Sequence, residues 1–128
     1  MADLGERANV MGPQSIGGRR PTPPAMVEAA KYVLKLLVEG RQIELAALTT
    51  PTAQSEAAEL AGAVTPGIYG GSEIIATARV NDHYYVKARL HGDGGETFTL
   101  QMRLGERDGR WLLWEALNLT GRRGAWTR

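Results

Sequence analysis

The sequence has no cysteine, almost no net charge and few aromatic residues. The absence of cysteine excludes disulfide bonds, a thiolate nucleophile and any zinc site with cysteine ligands. The 15 Lys and Arg residues nearly balance the 14 Asp and Glu residues, so the formal net charge is +1. Such a balance provides no long-range attraction to nucleic acid or to an anionic membrane. Hydrophobic residues nevertheless make up 43% of the chain, which is enough for one core.

Long apolar runs are also missing. No stretch approaches the roughly 20 apolar residues of a membrane helix, and the first residues lack the apolar segment of a signal peptide. Because small secreted domains often depend on disulfides, the lack of cysteine also favours the cytoplasm. We therefore predict a cytoplasmic protein that binds neither membranes nor nucleic acid and that carries no cofactor.

Glycine and proline divide the chain into a central domain and two tails. Residues 1–22 are interrupted by these residues throughout and are predicted to form a flexible N-terminal tail. Residues 23–120 form the domain, and residues 121–128 form a basic C-terminal tail. Trp126 and the arginines of that tail are typical of a nucleic-acid contact, but a solvated tail, or Trp126 docked on the sheet, is the favoured interpretation.

Residues 23–64 have the periodicity of helices. Thr22 is predicted to cap the first helix, and Pro23 to take its first position, where a missing N–H costs no hydrogen bond. Gly40 is predicted to end that helix. A second, shorter helix and a third one follow. The residues expected on the apolar sides of the first and third helices are Met26, Ala30, Val33, Leu34, Leu37, Ala53, Ala57, Leu60, Ala61 and Val64.

From Ser72 onwards the hydrophobic pattern alternates, as in strands. Turn signals at residues 81–82, 92–95 and 105–109 separate four strands, the last of which runs from Arg110 to about Leu119. Short turns join antiparallel neighbours, so the strands form a meander. Its predicted core face consists of Ile74, Ala76, Ala78, Val80, Tyr84, Val86, Ala88, Leu90, Phe98, Leu100, Met102 and Leu104.

Three helices followed by four strands predict an α+β domain, with the helices packed on one face of a curved antiparallel sheet. The opening helix leads through Gly40 into a second helix at residues 41–48, and the last hairpin contains Gly109-Arg110-Trp111. In this order and these motifs, roughly residues 23–120 resemble the NTF2-like superfamily, the cone-shaped fold of nuclear transport factor 2, ketosteroid isomerase and SnoaL-type cyclases. The resemblance points to no specific family, and no catalytic residue is carried over from it.

Small residues on the predicted core face suggest a cavity. If Ala76, Ala78 and Ala88 lie together on a curved sheet, the space above them is a mixed apolar pocket that suits a small apolar ligand. Tyr84, Met102 and one face of the last strand, with Trp111, would also line it. The alternative is that the alanine-rich third helix packs closely against these positions, as dense native interiors require.

Glu115 lies in a strand that is apolar on both sides. In one phase it shares a face with Trp111, Leu113 and Leu117, where burial would raise its pKa and suit it to acid–base catalysis. In the other it pairs with Arg103 or another basic residue on the polar face, which is the commoner arrangement of a strand glutamate. It is the weak candidate for a catalytic residue.

The last strand also predicts a partner. Leu112, Trp114 and Ala116 oppose Trp111, Leu113 and Leu117, so both faces are apolar and something covers the second one. We predict a homodimer built sheet against sheet, with residues 125–126 as the alternative cover. His83 and His91 lie about 27 Å apart along one strand, so no metal site is predicted.

Two functions therefore remain open from the sequence. One is the binding of a small, mostly apolar molecule in the cone, as a binding protein or with hydrolase, isomerase or cyclase activity. The other is a non-catalytic homodimerisation or protein-interaction module. A fold of this kind hosts both classes, so the fold does not decide between them.

Overall fold

The computed structural model describes residues 15–16 and 22–120. Three α-helices precede four long strands, and a two-residue strand comes before them all. The elements are β1 (Ser15–Ile16), α1 (Pro24–Glu39), α2 (Gln42–Ala47), a 3-10 turn (Pro51–Ala53), α3 (Gln54–Ala63), β2 (Tyr69–Val80), β3 (His83–Gly92), β4 (Thr97–Arg107) and β5 (Arg110–Asn118). The predicted α+β class, with its helices first and its meander second, is confirmed. The rest of the two predicted tails lies outside the described residues.

Helix α1 buries the predicted apolar stripe from Met26 to Leu37. The predicted cap is wrong, because the N-cap is Pro23 and no side chain among residues 22–120 caps the helix. The hydroxyl of Thr22 instead lies 3.3 Å from the hydroxyl of Thr77, which is buried in β2. This contact provides a hydrogen-bond partner for a buried polar group and ties the start of α1 to the sheet.

Gly40 ends α1 as predicted. Its φ is 70°, and the N–H of Arg41 donates to the carbonyl of Leu36 at 3.0 Å, as in a left-handed helix C-cap. A Cβ on Gly40 would lie 2.7 Å from the Cγ of Pro66. Glycine is therefore required here both by the backbone conformation and by the neighbouring proline.

We expect Gly40→Ala to destabilise the domain by about 1–2 kcal/mol, because alanine is strained at positive φ. Gly62→Ala is the matched control, since Gly62 lies in α3 and its added Cβ would meet no atom of residues 22–120 within 4 Å outside its own helical turn. That control should stabilise the domain by roughly 0.5–1 kcal/mol. Urea unfolding of the two variants measures both values, and an equal effect of the two substitutions would contradict the assignment.

The sheet has the order β1-β2-β3-β4-β5. Strands β2 to β5 pair antiparallel with their chain neighbours, while β1 pairs parallel with β2 through Ser15–Thr77 and Ile16–Ala78. At the other edge, the N–H of Leu113 donates to the carbonyl of Leu48 at 2.8 Å. The N–H of Thr50 donates to the carbonyl of Leu113 at 3.0 Å. The link between α2 and α3 therefore covers part of the β5 edge.

The sheet has two faces, and the register assigns residues to each. The inner face packs on the helices, and its fully buried residues join those of α1 and α3 in one core cluster. On the strands these residues are Val86, Ala88, Leu90, Phe98, Leu100, Met102, Leu104, Leu113 and Ala116.

The outer face of the sheet lies opposite. Its rows across β2 to β5 are Val80–His83–Gly105–Leu112, Ala78–Tyr85–Arg103–Glu115 and Ala76–Lys87–Gln101–Leu117.

A β-bulge in β2 makes part of the predicted core face wrong. Ile74 lies opposite Ala88, but Ala76 lies opposite Lys87, so Ile75 is the extra residue between them. Beyond this point the side chains exchange faces. Thr77 is therefore buried on the inner face, whereas Ala76, Ala78 and Val80 belong to the outer face.

Another bulge lies in β5. Arg103 is paired with Glu115 and Leu104 with Leu113, so Trp114 is the extra residue. The predicted faces of this strand are wrong for that reason. Leu113 and Ala116 lie inside, and Leu112 and Leu117 lie outside. The predicted turn at 105–109 is also shorter than expected, because β4 continues to Arg107 and only Asp108 and Gly109 form the turn, both at positive φ.

Candidate functional site

The inner face is the first candidate site, and its middle is occupied by protein atoms. Ala88 and Met102 have no exposed surface, and both belong to the core cluster that includes residues of α1 and α3. Tyr84 and Trp111 are half-buried beside this cluster, with their ring centroids 6.0 Å apart. The predicted lining residues Tyr84, Met102, Trp111 and Ala88 thus share the inner side of the sheet, as packed core residues and their neighbours.

The predicted group of three alanines is not brought together. Ala88 lies inside, whereas Ala76 and Ala78 lie on the outer face across from Lys87 and Tyr85. The physical reason is the bulge at Ile75, which shifts the alternation of β2 by one residue. A cavity above all three alanines, the basis of the predicted apolar pocket, is therefore ruled out by the register.

Glu115 lies on the outer face, opposite Arg103. Its Oε2 is 3.9 Å from Nη1 of Arg103, and both side chains are about one-third exposed. Trp111 lies on the other side of the sheet. The predicted arrangement in which Glu115 shares a face with Trp111 is therefore wrong, and the alternative arrangement with Arg103 is found. Its role in acid–base catalysis stays a prediction.

The outer face is the second candidate site. On β4 and β5 it presents Gln101, Leu112, Trp114 and Leu117, which we call the outer patch. Gln101 is only 6% exposed, and its Oε1 has no hydrogen-bond partner among the described residues. Leu117 is 37% exposed, while Leu112 and Trp114 are half-buried. A buried amide oxygen without a hydrogen bond carries a free-energy cost that a partner can relieve.

Trp114 connects the outer patch to His83. The two ring centroids are 4.9 Å apart, and the guanidinium of Arg107 lies 4.6 Å from the Trp114 ring centroid. Gly105 makes this stacking possible, because a Cβ there would lie 2.6 Å from the His83 ring and 2.9 Å from Nε1 of Trp114. Sequence reasoning treated Gly105 as a turn glycine. Gly105 follows Gln101 and Arg103 at every second position, on the same face of β4, and this alternation was the signal that it belongs to the strand.

A pocket of about 290 Å³ opens beside the β2–β3 turn. It is lined by Val80, Asn81, Asp82, His83, Tyr85 and Arg103, and we call it the turn pocket. Burial lowers the pKa of His83, and the charge of Arg103 lowers it further, whereas Asp82 and Glu115 act in the opposite direction. The imidazole is therefore held in its neutral form near pH 7.

Two further depressions lie in the helical layer. One, of about 230 Å³, lies between α2 and α3 and includes the exposed Ile43. The other, of about 420 Å³, lies between α3 and the end of β5. Near the second, Glu56 accepts a hydrogen bond from the N–H of Ala116 at 3.1 Å, so this carboxylate already serves the structure.

His91 pairs with Glu73 on the outer face, and no group of three or more His, Asp or Glu residues positioned for a metal is present within residues 22–120. None of the described helices combines the length and the apolar character needed to cross a membrane.

Comparisons with known proteins identify the fold. Neither the family models nor the curated proteins contain a match to this chain. A designed NTF2-like protein aligns with a TM-score of 0.56 at 17% identity, covering 73% of this chain and 96% of its own. A protein from Campylobacter jejuni, named as an NTF2-like transpeptidase, aligns with a TM-score of 0.55 at 14% identity, covering 70% and 96%. At these identities the likeness concerns the fold alone. The chain therefore has the NTF2-like α+β fold, without a specific family.

Proposed function

We propose that this domain is a non-catalytic homodimerisation module that associates through the outer face of its sheet. The observation that carries the proposal is the outer patch, in which three apolar or aromatic side chains share one face of β4 and β5 with a buried glutamine whose Oε1 has no partner among the described residues. Aromatic residues and arginines are enriched in protein interfaces, and energetically important contacts cluster around such residues.

A second copy of the chain is the partner that the charges favour. Arg103 and Glu115 lie side by side in the middle of the patch, between the row with Leu112 and the row with Leu117, so a two-fold arrangement can place each charge near its opposite. The formal net charge of +1 adds little long-range repulsion between copies. Gln101 has both a donor and an acceptor in its amide, which allows it to pair with an identical amide across a two-fold axis.

A small apolar ligand in the cone is the less well supported candidate. Ala88 and Met102 are fully buried in the core, so such a ligand would have to displace side chains to enter. Hydrolase, isomerase or cyclase activity depends on the same cavity.

The location in the cytoplasm stays a prediction.

We expect Leu117→Arg to convert a dimer at micromolar concentration into a monomer. The two-fold symmetry places two added charges in one apolar contact, which should weaken self-association about a hundredfold or more. Light scattering coupled to size-exclusion chromatography measures the mass, and circular dichroism confirms that the variant is folded.

Ile43→Arg is the matched control, because it adds the same charge to an apolar residue that is 86% exposed on α2. We expect it to leave the mass of the dimer unchanged. A monomer mass for the unmodified chain at micromolar concentration would refute the proposal. Equal loss of the dimer in both variants would place the contact elsewhere.

A further inference from the structure

We infer that the turn pocket is a binding site for a small monocarboxylate that carries a short apolar or aromatic group. This inference goes beyond self-association, because it assigns a small-molecule ligand to a set of lining residues that differs from the outer patch. The pocket lies mainly on β2 and β3 and shares Arg103 on β4 with the region of the outer patch. Leu117 belongs to the outer patch and does not line the pocket, so a substitution there tests the two sites separately.

The guanidinium of Arg103 is the group that favours an anionic ligand in this pocket. A guanidinium has five N–H donors, yet Arg103 makes no hydrogen bond to any of residues 22–120, and its Nε has no partner. Its nearest carboxylate, Glu115, is 3.9 Å away, which exceeds hydrogen-bond length. A ligand carboxylate that accepts two N–H bonds from this guanidinium at close range interacts with it more strongly than the distant Glu115 does.

The remaining lining sets the size and the apolar part of the ligand. Val80 and the rings of His83 and Tyr85 supply the apolar part of a lining that is otherwise polar, and the phenol hydroxyl and the imidazole are further polar groups. Its volume of about 290 Å³ corresponds to roughly ten water molecules in the liquid. A benzoate-sized molecule fits within this volume, and its flat ring suits the aromatic side chains of the lining.

Acidic neighbours favour a monoanion over a dianion. Asp82 lines the turn pocket and Glu115 lies next to Arg103, so a second negative charge on the ligand would meet two carboxylates. Inorganic phosphate, which is partly dianionic near pH 7, is therefore expected to bind more weakly than a monocarboxylate. The charges of the same two carboxylates raise the pKa of His83, whereas the charge of Arg103 lowers it.

Benzoate is the probe, and benzamide is its neutral counterpart of the same shape. We expect benzoate to shift the amide resonances of residues 80–85 and the indole N–H of Trp114 in a saturable manner, with a dissociation constant on the order of 1 mM. Benzamide should bind at least about tenfold more weakly, because it cannot form the charged pair with the guanidinium. The bound anion should also raise the pKa of His83, since it favours the protonated imidazole.

Three variants test the role of Arg103. Arg103→Gln should weaken benzoate binding about tenfold or more, while Arg89→Gln should have no effect, since Arg89 bonds to Thr99 outside the turn pocket. Glu115→Gln removes the competing carboxylate and should tighten binding a few-fold. This opposite direction separates a binding effect from a loss of folding.

Leu117→Arg lies outside the turn pocket and should bind benzoate as the unmodified chain does, whatever its mass. Failure of self-association is thereby distinguished from failure of the carboxylate site. Equal binding of benzoate and benzamide, no saturable shift at residues 80–85, or an equal loss in Arg89→Gln would each overturn the inference.

Discussion

Met102→Ala is expected to destabilise the domain by about 2–5 kcal/mol. Met102 has no exposed surface and lies between Val86 and Ala116 on the inner face. Its truncation removes apolar contacts and leaves a cavity that neighbouring backbone cannot easily close, because both flanking strands are paired across the sheet. Urea unfolding at constant protein concentration measures the loss, with the m-value as a check that the denatured state is unchanged.

Ile43→Ala is the control for this substitution. Ile43 is 86% exposed, so its truncation removes apolar atoms that contact few neighbours. Its effect should stay within about 0.5 kcal/mol. A loss of less than about 1 kcal/mol for Met102→Ala would mean that this side chain borders empty space, which is what the predicted ligand cavity requires.

Ala88→Leu is expected to destabilise the domain by about 3 kcal/mol, since a filled core resists added carbons. Ala88 is fully buried and lies between Ile74 and Leu100 on the inner face, in the cluster shared with α1. The three added carbons must displace side chains from their rotamers. Thermal and urea unfolding, with two-dimensional NMR to confirm the fold, measure this effect.

Ala76→Leu is its control, because Ala76 belonged to the same predicted group of three alanines but lies on the outer face. That substitution should change the stability by no more than about 0.5 kcal/mol. If Ala88→Leu is neutral or stabilising, the cone is hollow at this position, and small-molecule binding becomes the better supported function.

Helices and turns were predictable from the sequence because their signals are local. The spacing of Met26, Ala30 and Leu37 defines the buried side of α1, and all three are buried. Gly40 and the Asp108-Gly109 pair lie at positive φ, as their residue types indicate. The order of elements and the resemblance to the NTF2-like fold followed from these features.

The faces of β2 and β5 were not predictable, because each bulge lies where both phases are apolar. Ile74 and Ile75 are adjacent, as are Leu112 and Leu113, so an inserted residue does not disturb the pattern of hydrophobicity. The positions of Ala76, Ala78 and Glu115 depend on these two bulges. The turn pocket was not predictable either, since it combines residues of the β2–β3 turn with Arg103 from β4.

The hydrogen bonds that join Leu48 and Thr50 to Leu113 have a consequence for the order of folding. Strands β2 to β5 can zip together one hairpin at a time, since each pairs with its neighbour in the chain and short loops cost little entropy to close. The junction at Leu113 instead encloses nearly the whole meander within one loop. Its formation is therefore expected late on the folding pathway, so amides at this junction should gain protection from hydrogen exchange after those of the hairpins.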